Sequence, residues 1–262
     1  HRVGRKHVLT PSPVKKLAVE NQIKVLQPAK LSGSQEMTEI IELHPDLLIT
    51  AAYGQFLPTK LLDAAQIAAI NVHGSLLPKY RGGAPVQYSI INGDMISQRA
   101  IPIEPDDDNG TMFKTLSILG RDLLLDTLPD LISGNVKPQK QDPEKVTFSP
   151  NISSEQEKID YTMSAQQIDD KVRGLRPAPI GNMKIDGLRT KIYDVTPLTE
   201  KTELEPGKVV RIDKHHLVIA AGKGTTYQIN ELKPAGKQKM NITAYLNGHQ
   251  NIKEGMQVVT DD

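Results

Sequence analysis

Two polar residues at the end of an apolar segment are the first candidates for chemistry in this chain. Asn71 and His73 close the run 67–73, and in a β-strand they would lie on one face with α-carbons roughly 6.6 Å apart. An amide N–H can stabilise a developing oxyanion, and an imidazole can move a proton near neutral pH. The pair fits acid–base chemistry at a carbonyl, although a hydrogen-bonded strand end is the more common meaning of such a pattern.

The loop that follows this pair strengthens the functional interpretation. Residues 74–82 read Gly-Ser-Leu-Leu-Pro-Lys-Tyr-Arg-Gly, which combines a conformationally free glycine, an apolar pair, a proline of fixed φ and two cations. Ligands of parallel α/β sheets bind beyond the carboxyl ends of the strands. The sequence therefore predicts a binding site formed by this loop, with Asn71 and His73 beside it.

The elements that must position this site alternate between helix and strand. The predicted helices are 13–20, 34–43, 57–64, 85–93 and 111–133, and the predicted strands are 23–26, 46–50, 67–73 and 95–103. Alternating elements with apolar strands indicate a parallel sheet that is covered on both faces by helices. We therefore expect an α/β, Rossmann-like domain over residues 1–150.

The second half of the chain has a different pattern. Residues 135–163 indicate a surface linker, and Ser164 with Gln167 forms a capping box for a helix to Arg173. Short strands are then predicted at 184–188, with an Asp-Gly hairpin turn, and at 208–212, 217–221 and 227–232. We expect a linker and connecting helix over 151–180, and a small OB-like β-barrel over 181–262, of a type that commonly binds oligonucleotides.

Composition excludes several classes of protein. The chain has no cysteine, so disulfides, thiolate nucleophiles and cysteine zinc sites are excluded, and we expect no metal. No apolar run approaches the ~18 residues of a membrane span, and the opening residues do not resemble a signal peptide. These features predict a globular protein of the cytoplasm that does not contact membranes.

Charge is unevenly distributed along the chain. Residues 1–16 carry five basic and no acidic side chains, residues 17–170 carry 12 basic and 21 acidic, and residues 171–262 carry 15 basic and ten acidic. Two basic ends around an acidic centre would suit a polyanion such as a nucleic acid. Solvated faces of an ordinary surface explain the same numbers, and charge alone leaves both interpretations open.

The loop sequence resembles a known family signature. Residues 71–85 read Asn-Val-His-Gly-Ser-Leu-Leu-Pro-Lys-Tyr-Arg-Gly-Gly-Ala-Pro and are similar to the signature of the 10-formyltetrahydrofolate-dependent formyltransferase superfamily. The resemblance implies that His73 is the catalytic imidazole and that Asn71 polarises the formyl carbonyl. It also implies contacts to 10-formyltetrahydrofolate from two loops, by Ser75, Leu76, Leu77, Pro78, Tyr53 and Gly54.

Other segments resemble the members of this superfamily that formylate methionyl-tRNA. Residues 4–6 and 10–15 are similar to their basic loop and following helix, and residues 208–222 and 232–240 are similar to their C-terminal barrel. The resemblance implies initiator methionyl-tRNA as acceptor, a role in translation initiation, a bacterial type of enzyme and a monomer. The implied tRNA-binding residues are Arg2, Arg5, Lys6, Lys15, Lys237 and Lys239.

The sequence departs from the family pattern in three places. The family has a third catalytic group, an aspartate in a loop that would fall between Asp94 and Met95 together with a strand, and we expect this segment to be absent here. The opening strand before the basic loop is also absent from this sequence. Ala178 stands between two prolines where the family has a tryptophan.

Two alternatives stay open at this point. Another folate-dependent formyltransferase, acting on glycinamide ribonucleotide or a sugar amine, would share the signature loop but would not need basic ends. An RNA-binding relative that has lost catalysis would keep the basic ends and the scaffold.

Overall fold

The chain divides into two compact units. A computed structural model describes residues 2–3, 8–55, 57–82 and 93–261. The first unit comprises His1–Gln98 and Leu123–Pro150, and the second comprises Arg99–Asp122 and Asn151–Asp262. Residues 99–122 thus cluster with the second unit, whereas the sequence pattern assigned them to the catalytic domain; the division at 150 and 180 stays a prediction.

Short capped helices precede the site in the first unit. A hairpin of β1 (Arg2–Val3) and β2 (Val8–Leu9) leads to α1 (Pro13–Glu20), where Ser12 Oγ accepts a hydrogen bond from the Lys15 amide. Helix α2 (Gln35–Glu42) has the same type of cap at Ser34. Side-chain caps satisfy amides that have no partner within the helix, and both predicted helices are confirmed.

Two parallel strands form the sheet of the first unit. Strand β3 (Leu47–Ala51) pairs in register with β4 (Ala68–Val72), and α3 (Thr59–Leu62) lies between them in the chain. The predicted parallel pairing is confirmed. The expected cover on both faces is not seen in the described residues, since Ile49 of β3 is 42% exposed. The buried core cluster of this unit consists of four residues: Leu31, Met37, Leu57 and Leu61.

Two predicted strands of the first half are wrong. Residues 23–26 follow α1 as irregular chain, with Ile23 exposed and its amide donating back to the Ala18 carbonyl. Of residues 95–103, Met95 alone makes a bridge, to Gln139. A strand needs a neighbour to complete its backbone hydrogen bonds, and the local residue pattern does not identify that neighbour. The predicted helix 85–93 lies, except for its last residue, outside the described residues.

One long helix and one short helix lead into the second half. Helix α4 (Asn109–Ile132) confirms the prediction at 111–133, and Asp108 Oδ1 accepts a hydrogen bond from the Thr111 amide at its start. Helix α5 (Ala165–Leu175) has the predicted capping box of Ser164 and Gln167. In the part of the chain that the structure describes, no helix is both long and apolar enough to cross a membrane.

An antiparallel, curled sheet dominates the second unit. Its strands are β5 (Asn182–Ile185), β6 (Leu188–Leu198), β7 (Val209–Ile212), β8 (Leu217–Ala220), β9 (Thr226–Pro234), β10 (Met240–Asn241) and β11 (Val259–Thr260), and helix α6 is Ile242–Asn247. The predicted hairpin turn joins β5 and β6 at Asp186 and Gly187, whose φ angles of 46° and 75° are the positive values that a two-residue hairpin turn favours. The strands lie in the order β11-β5-β6-β9-β8-β7, with β10 paired to β9.

The two ends of this sheet are joined by hydrogen bonds. The Val209 amide of β7 donates to the Met256 carbonyl at 2.9 Å, and the Gly255 amide donates back to Val209 at 2.8 Å. The Val258 amide donates to the Gly207 carbonyl at 3.0 Å. Residues 255–258 run directly into β11, which pairs with β5. The segment therefore links the last strand of the path to the first.

A dense apolar core lies inside the curled sheet. The core cluster contains 21 buried residues, most of them from α5, α6 and the strands. Tyr227 of β9 is fully buried, and its hydroxyl lies 3.7 Å from the sulfur of Met183. Burial raises the pKa of this phenol. Strands rich in valine and isoleucine suit such a pleated, buried surface.

Candidate active site

The predicted pair lies where two parallel strands end. Asn71 is in β4 and His73 is the first residue beyond it, while Ala51 at the end of β3 pairs with Val72. The loop after β3 begins at the same edge, with Ala52 in the left-handed region at φ 48°. Parallel pairing therefore brings the loops after β3 and β4 to one edge of the sheet, as the sequence pattern indicated.

A neighbouring threonine orients the Asn71 amide. Thr50 of β3 pairs with Asn71 across the sheet, and its hydroxyl donates to Asn71 Oδ1 at 2.8 Å. Because Oδ1 accepts this hydrogen bond, the side-chain amide is held in one orientation, and Nδ2 keeps two protons that it can donate. That orientation is the one needed to donate to a carbonyl oxygen.

His73 is partly buried, and burial lowers the pKa of its imidazole below the ordinary 6.5. The ring is therefore neutral at physiological pH and can accept a proton. Its Nδ1 lies 2.9 Å from Ser75 Oγ. Among the described side chains, no group of three or more His, Asp or Glu residues is arranged to hold a metal ion.

We call residues 74–82 the signature loop. A second segment of the first unit holds it in place. The Tyr80 amide donates to Thr147 Oγ1 and the Arg81 amide donates to the Thr147 carbonyl, both at 2.8 Å. The Ser149 amide donates in turn to the Arg81 carbonyl at 2.6 Å. These hydrogen bonds form a short parallel bridge that fixes the end of the loop.

Arg81 belongs to this support and is not a free surface cation. It is 6% exposed, and its Nε donates to Gln141 Oε1 at 3.0 Å. Gln141 Nε2 donates to the Gly93 carbonyl at 2.6 Å. The next residue, Gly82, has φ 124°, and a β-carbon there would lie 2.7 Å from the Ser149 carbonyl oxygen. Only glycine fits this close approach.

The candidate folate contacts differ in how accessible they are. The Leu77 carbonyl accepts a hydrogen bond from Gln98 Nε2 at 2.7 Å, whereas the Leu76 side chain is 48% exposed. Pro78 follows in a cis peptide bond and is half-buried. In the other loop, Gly54 is exposed, and Tyr53 packs against the four-residue core. Of the six candidate folate contacts, Leu76 and Gly54 are the exposed ones.

The candidate tRNA contacts are dispersed. Arg5 and Lys6 lie outside the described residues, and Arg2 lies in β1. Lys15 of α1 donates to the side-chain oxygen of Gln27.

In the second unit, Lys237 is exposed in the turn after β9. Lys239 pairs with Glu231 at 2.6 Å and lies 4.9 Å above the Tyr193 ring. Lys239 is therefore already neutralised by an acid.

A row of cations on the outer face of the sheet was missed by the sequence analysis. Lys184 pairs with Arg189 across β5 and β6, and Lys191 pairs with Lys233 across β6 and β9. Their neighbours Thr190 and Ile192 are fully buried on the opposite face. We call these four cations the basic stripe. The alternating basic residues at 189 and 191 were the available signal, but the pairing partners could not be known.

Comparisons with known proteins agree with the signature. The family described as formyl transferase matches residues 1–97, and the formyl transferase C-terminal domain matches residues 151–250. The chain is 64% identical to the methionyl-tRNA formyltransferase of Limosilactobacillus fermentum, covering 100% of this chain and 88% of that protein. It is 52% identical to the methionyl-tRNA formyltransferase of Enterococcus faecalis, covering 96% and 87%.

Solved structures of lower identity share the fold. HypX from Aquifex aeolicus in complex with tetrahydrofolic acid has a TM-score of 0.58 at 16% identity, covering 86% of this chain and 44% of that one. The N-formyltransferase from Helicobacter canadensis, in complex with folinic acid and dTDP-3-aminofucose, has a TM-score of 0.60 at 17% identity, covering 86% and 85%. These likenesses indicate a formyltransferase fold of mixed α/β type.

The alignment with the Limosilactobacillus protein also contains positions that this chain leaves empty. It occupies 279 positions, 17 more than the 262 residues of this chain. Because the alignment covers the whole chain, at least 17 residues of the relative lie within it without a counterpart here. That these residues form one segment next to Asp94 stays a prediction.

Proposed function

The chain belongs to the methionyl-tRNA formyltransferase family, and on that premise we propose how it works. It transfers the formyl group of 10-formyltetrahydrofolate to the amino group of methionine on initiator tRNA, for translation initiation in the bacterial cytoplasm, and it acts as a monomer. The observation that carries the proposed site is the parallel pairing of β3 and β4, which brings the oriented Asn71 amide and the neutral His73 to one sheet edge.

Asn71 and His73 divide the chemistry between them. The methionyl amine forms a bond to the formyl carbon, and the carbonyl electron pair moves to oxygen, where Asn71 Nδ2 donates to the oxyanion. His73 accepts the proton that the amine loses. When the intermediate collapses, the bond from carbon to N10 of the folate breaks and the proton passes from His73 to N10.

The folate co-substrate is proposed to bind between the two loops at this edge. Leu76 supplies apolar surface, with Leu77 and Pro78 behind it, and Ser75 lies beside His73. From the other loop, Gly54 offers backbone that a flat ring can approach closely, next to Tyr53. Folate-bound neighbours of the same fold, such as HypX with tetrahydrofolic acid, support a folate site in a protein of this architecture.

The architecture proposed for the whole chain is a Rossmann-like domain followed by an OB-like barrel. The parallel β3–β4 pair supports the first assignment. The hydrogen bonds between residues 255–258 and the β7 segment support the second, because they join the two ends of the antiparallel path. A closed sheet has no free edge strand.

The tRNA is proposed to lie against basic groups of both units. In the first unit these are Arg2, Arg5, Lys6 and Lys15, and in the second unit Lys237, Lys239 and the basic stripe. Like charges that face each other across a strand pair are destabilising, so the Lys191–Lys233 pair suits a surface that binds a polyanion. Arg189 and Lys191 contact neutral oxygens, of Asn182 and Pro179, rather than acids.

One assay tests the activity and the role of Asn71 together. The chain is incubated with 10-formyltetrahydrofolate and methionyl initiator tRNA, and formylmethionine is measured after deacylation. We expect product, and a loss of about 10²–10³ in rate for Asn71→Ala, as for other oxyanion donors. Absence of product with the unaltered chain, under conditions in which a relative is active, would contradict the proposed activity.

A salt titration tests whether the basic stripe binds tRNA, as an acceptor of this kind requires and a small amine does not. For the double variant Lys191→Gln and Lys233→Gln we expect weaker tRNA binding and a slope of log affinity against log salt that is smaller by about one unit per cation removed. A matched double variant in the first unit, Lys60→Gln with Lys137→Gln, removes the same charge from exposed positions. Equal slopes for both double variants would remove the basic stripe from the interface.

A further inference from the structure

The Ser75 hydroxyl lies at the centre of a small hydrogen-bonded group beside the catalytic imidazole. Its Oγ is 2.9 Å from His73 Nδ1 and donates to the Lys79 carbonyl oxygen at 2.9 Å. The Tyr80 carbonyl oxygen is farther away, at 3.5 Å. All of these groups belong to the signature loop or to the residue that begins it.

Counting protons determines the direction of these hydrogen bonds. A serine hydroxyl has one proton to donate, and a backbone carbonyl can only accept. If the hydroxyl donates to Lys79, it must accept from His73 Nδ1. The reverse arrangement would leave the lone pairs of Ser75 Oγ and the Lys79 carbonyl facing each other at 2.9 Å. The arrangement that satisfies every group therefore runs from His73 Nδ1–H to Ser75 and from Ser75 to Lys79.

We propose that Ser75 is a positioning residue that holds His73 in the tautomer with its proton on Nδ1, so that Nε2 carries the lone pair. The hydrogen bond made by one ring nitrogen sets which nitrogen is protonated. This inference rests on the proposed function for its catalytic consequence, and it gives Ser75 a task distinct from lining the folate site.

The arrangement serves both protonation states of the ring. In formyl transfer, the proton lost by the attacking amine goes to His73 Nε2 and later leaves with N10 of the folate. Nδ1–H donates to Ser75 in the neutral ring and in the imidazolium alike. No side chain has to rotate between the two steps, so the base remains aimed throughout the reaction.

The tautomer can be measured without any activity. Long-range ¹H–¹⁵N correlation spectra of protein labelled with ¹⁵N-histidine distinguish a protonated from an unprotonated ring nitrogen, and His73→Gln identifies the signals of His73 among the seven histidines. We expect Nδ1 to be protonated in the unaltered chain and in Ser75→Thr, which keeps a hydroxyl. In Ser75→Ala we expect the proton to move to Nε2 or to exchange between the two nitrogens.

Kinetics provide the second readout. We expect Ser75→Ala to lower kcat about 10- to 100-fold, the range found for groups that orient metal-bound histidines. KM for 10-formyltetrahydrofolate should change little, and Ser75→Thr should restore activity. A raised KM at unchanged kcat would overturn the proposal in favour of a folate contact. A protonated Nε2 in the unaltered chain would overturn it outright. An inactive chain with the expected tautomer would contradict the proposed function and leave the positioning role supported.

Discussion

The two units are built on different balances of forces. Among its described residues, the first unit has a core cluster of four buried side chains, and its signature loop is fixed by hydrogen bonds to Thr147 and Ser149. The second unit has a core of 21 buried residues inside a curled sheet. Apolar burial is the main source of folding free energy. The comparison teaches that the proposed site lies in a polar, lightly supported region, while the larger of the two described cores, which contributes more apolar burial, lies in the other unit.

The largest effect should come from removing the imidazole. We expect His73→Gln to lower the formylation rate about 10²- to 10⁴-fold, the range for a lost general base, with no loss of stability, since the ring is outside the apolar core. Because burial lowers the pKa of His73, activity of the unaltered chain should fall only below pH 6.5, as the ring becomes protonated. If the pH–rate profile instead shows the loss of activity on the acid side with a midpoint above pH 6.5, the lowered pKa of His73 is contradicted.

Core truncation compares the two units directly. Leu232→Ala, in the fully buried centre of the second unit, should lower the free energy of unfolding by about 3–5 kcal/mol, towards the upper end for such changes. Leu61→Ala in the four-residue core should cost about 2–3 kcal/mol, because a small, half-open core can relax around the gap. Urea denaturation followed by circular dichroism measures both. An equal or greater loss of unfolding free energy in Leu61→Ala would contradict the proposed difference between the two cores.

A pair of glycine substitutions examines backbone constraint in each unit. Gly82→Ala places a methyl 2.7 Å from the Ser149 carbonyl at φ 124° and should cost about 1–3 kcal/mol of strain, with reduced activity because the loop must shift. Gly174→Ala, in helix α5 with nothing within 4 Å of the new methyl, should stabilise by about 0.5–1 kcal/mol. Thermal unfolding and the formylation assay, applied to both variants, report the difference. Unchanged activity in Gly82→Ala would show that the close approach is not needed.

The smallest expected effect concerns the basic stripe. Lys191→Gln removes the like-charge pairing with Lys233 and should raise stability by about 0.2–1 kcal/mol, while tRNA affinity falls. A gain in stability together with a loss of tRNA affinity would show that this surface is maintained for binding rather than for folding. The free energy of unfolding at low salt is the measurement, and a loss of stability would mean that Lys191 contributes to packing instead.

The success of sequence reasoning followed from how local each signal was. The caps at Ser12, Ser34 and Ser164 depend on residues three positions apart, so helices α1, α2 and α5 were predictable. The Asp186-Gly187 turn is equally local. The strands proposed at 23–26 and 95–103 were not, because strand formation depends on a neighbour that the local residue pattern does not identify.

The candidate site was only partly readable for the same reason. Asn71 and His73 could be found from their place after an apolar strand, but the Thr50 hydroxyl that orients Asn71 comes from another strand, 21 positions away. The support from Thr147 and Ser149 lies still farther along the chain. The basic stripe needed the register of three strands before its cations could be recognised as one surface.

Residues 255–258 have one more consequence, for association between molecules. An exposed strand edge invites pairing with another chain and is a common origin of aggregation. By hydrogen bonding to Val209 and Gly207 while continuing into β11, this segment covers the β7 edge and leaves fewer backbone groups for a second molecule to engage. The last residues of the second unit thus protect the protein from strand exchange and self-association, at little cost in chain length.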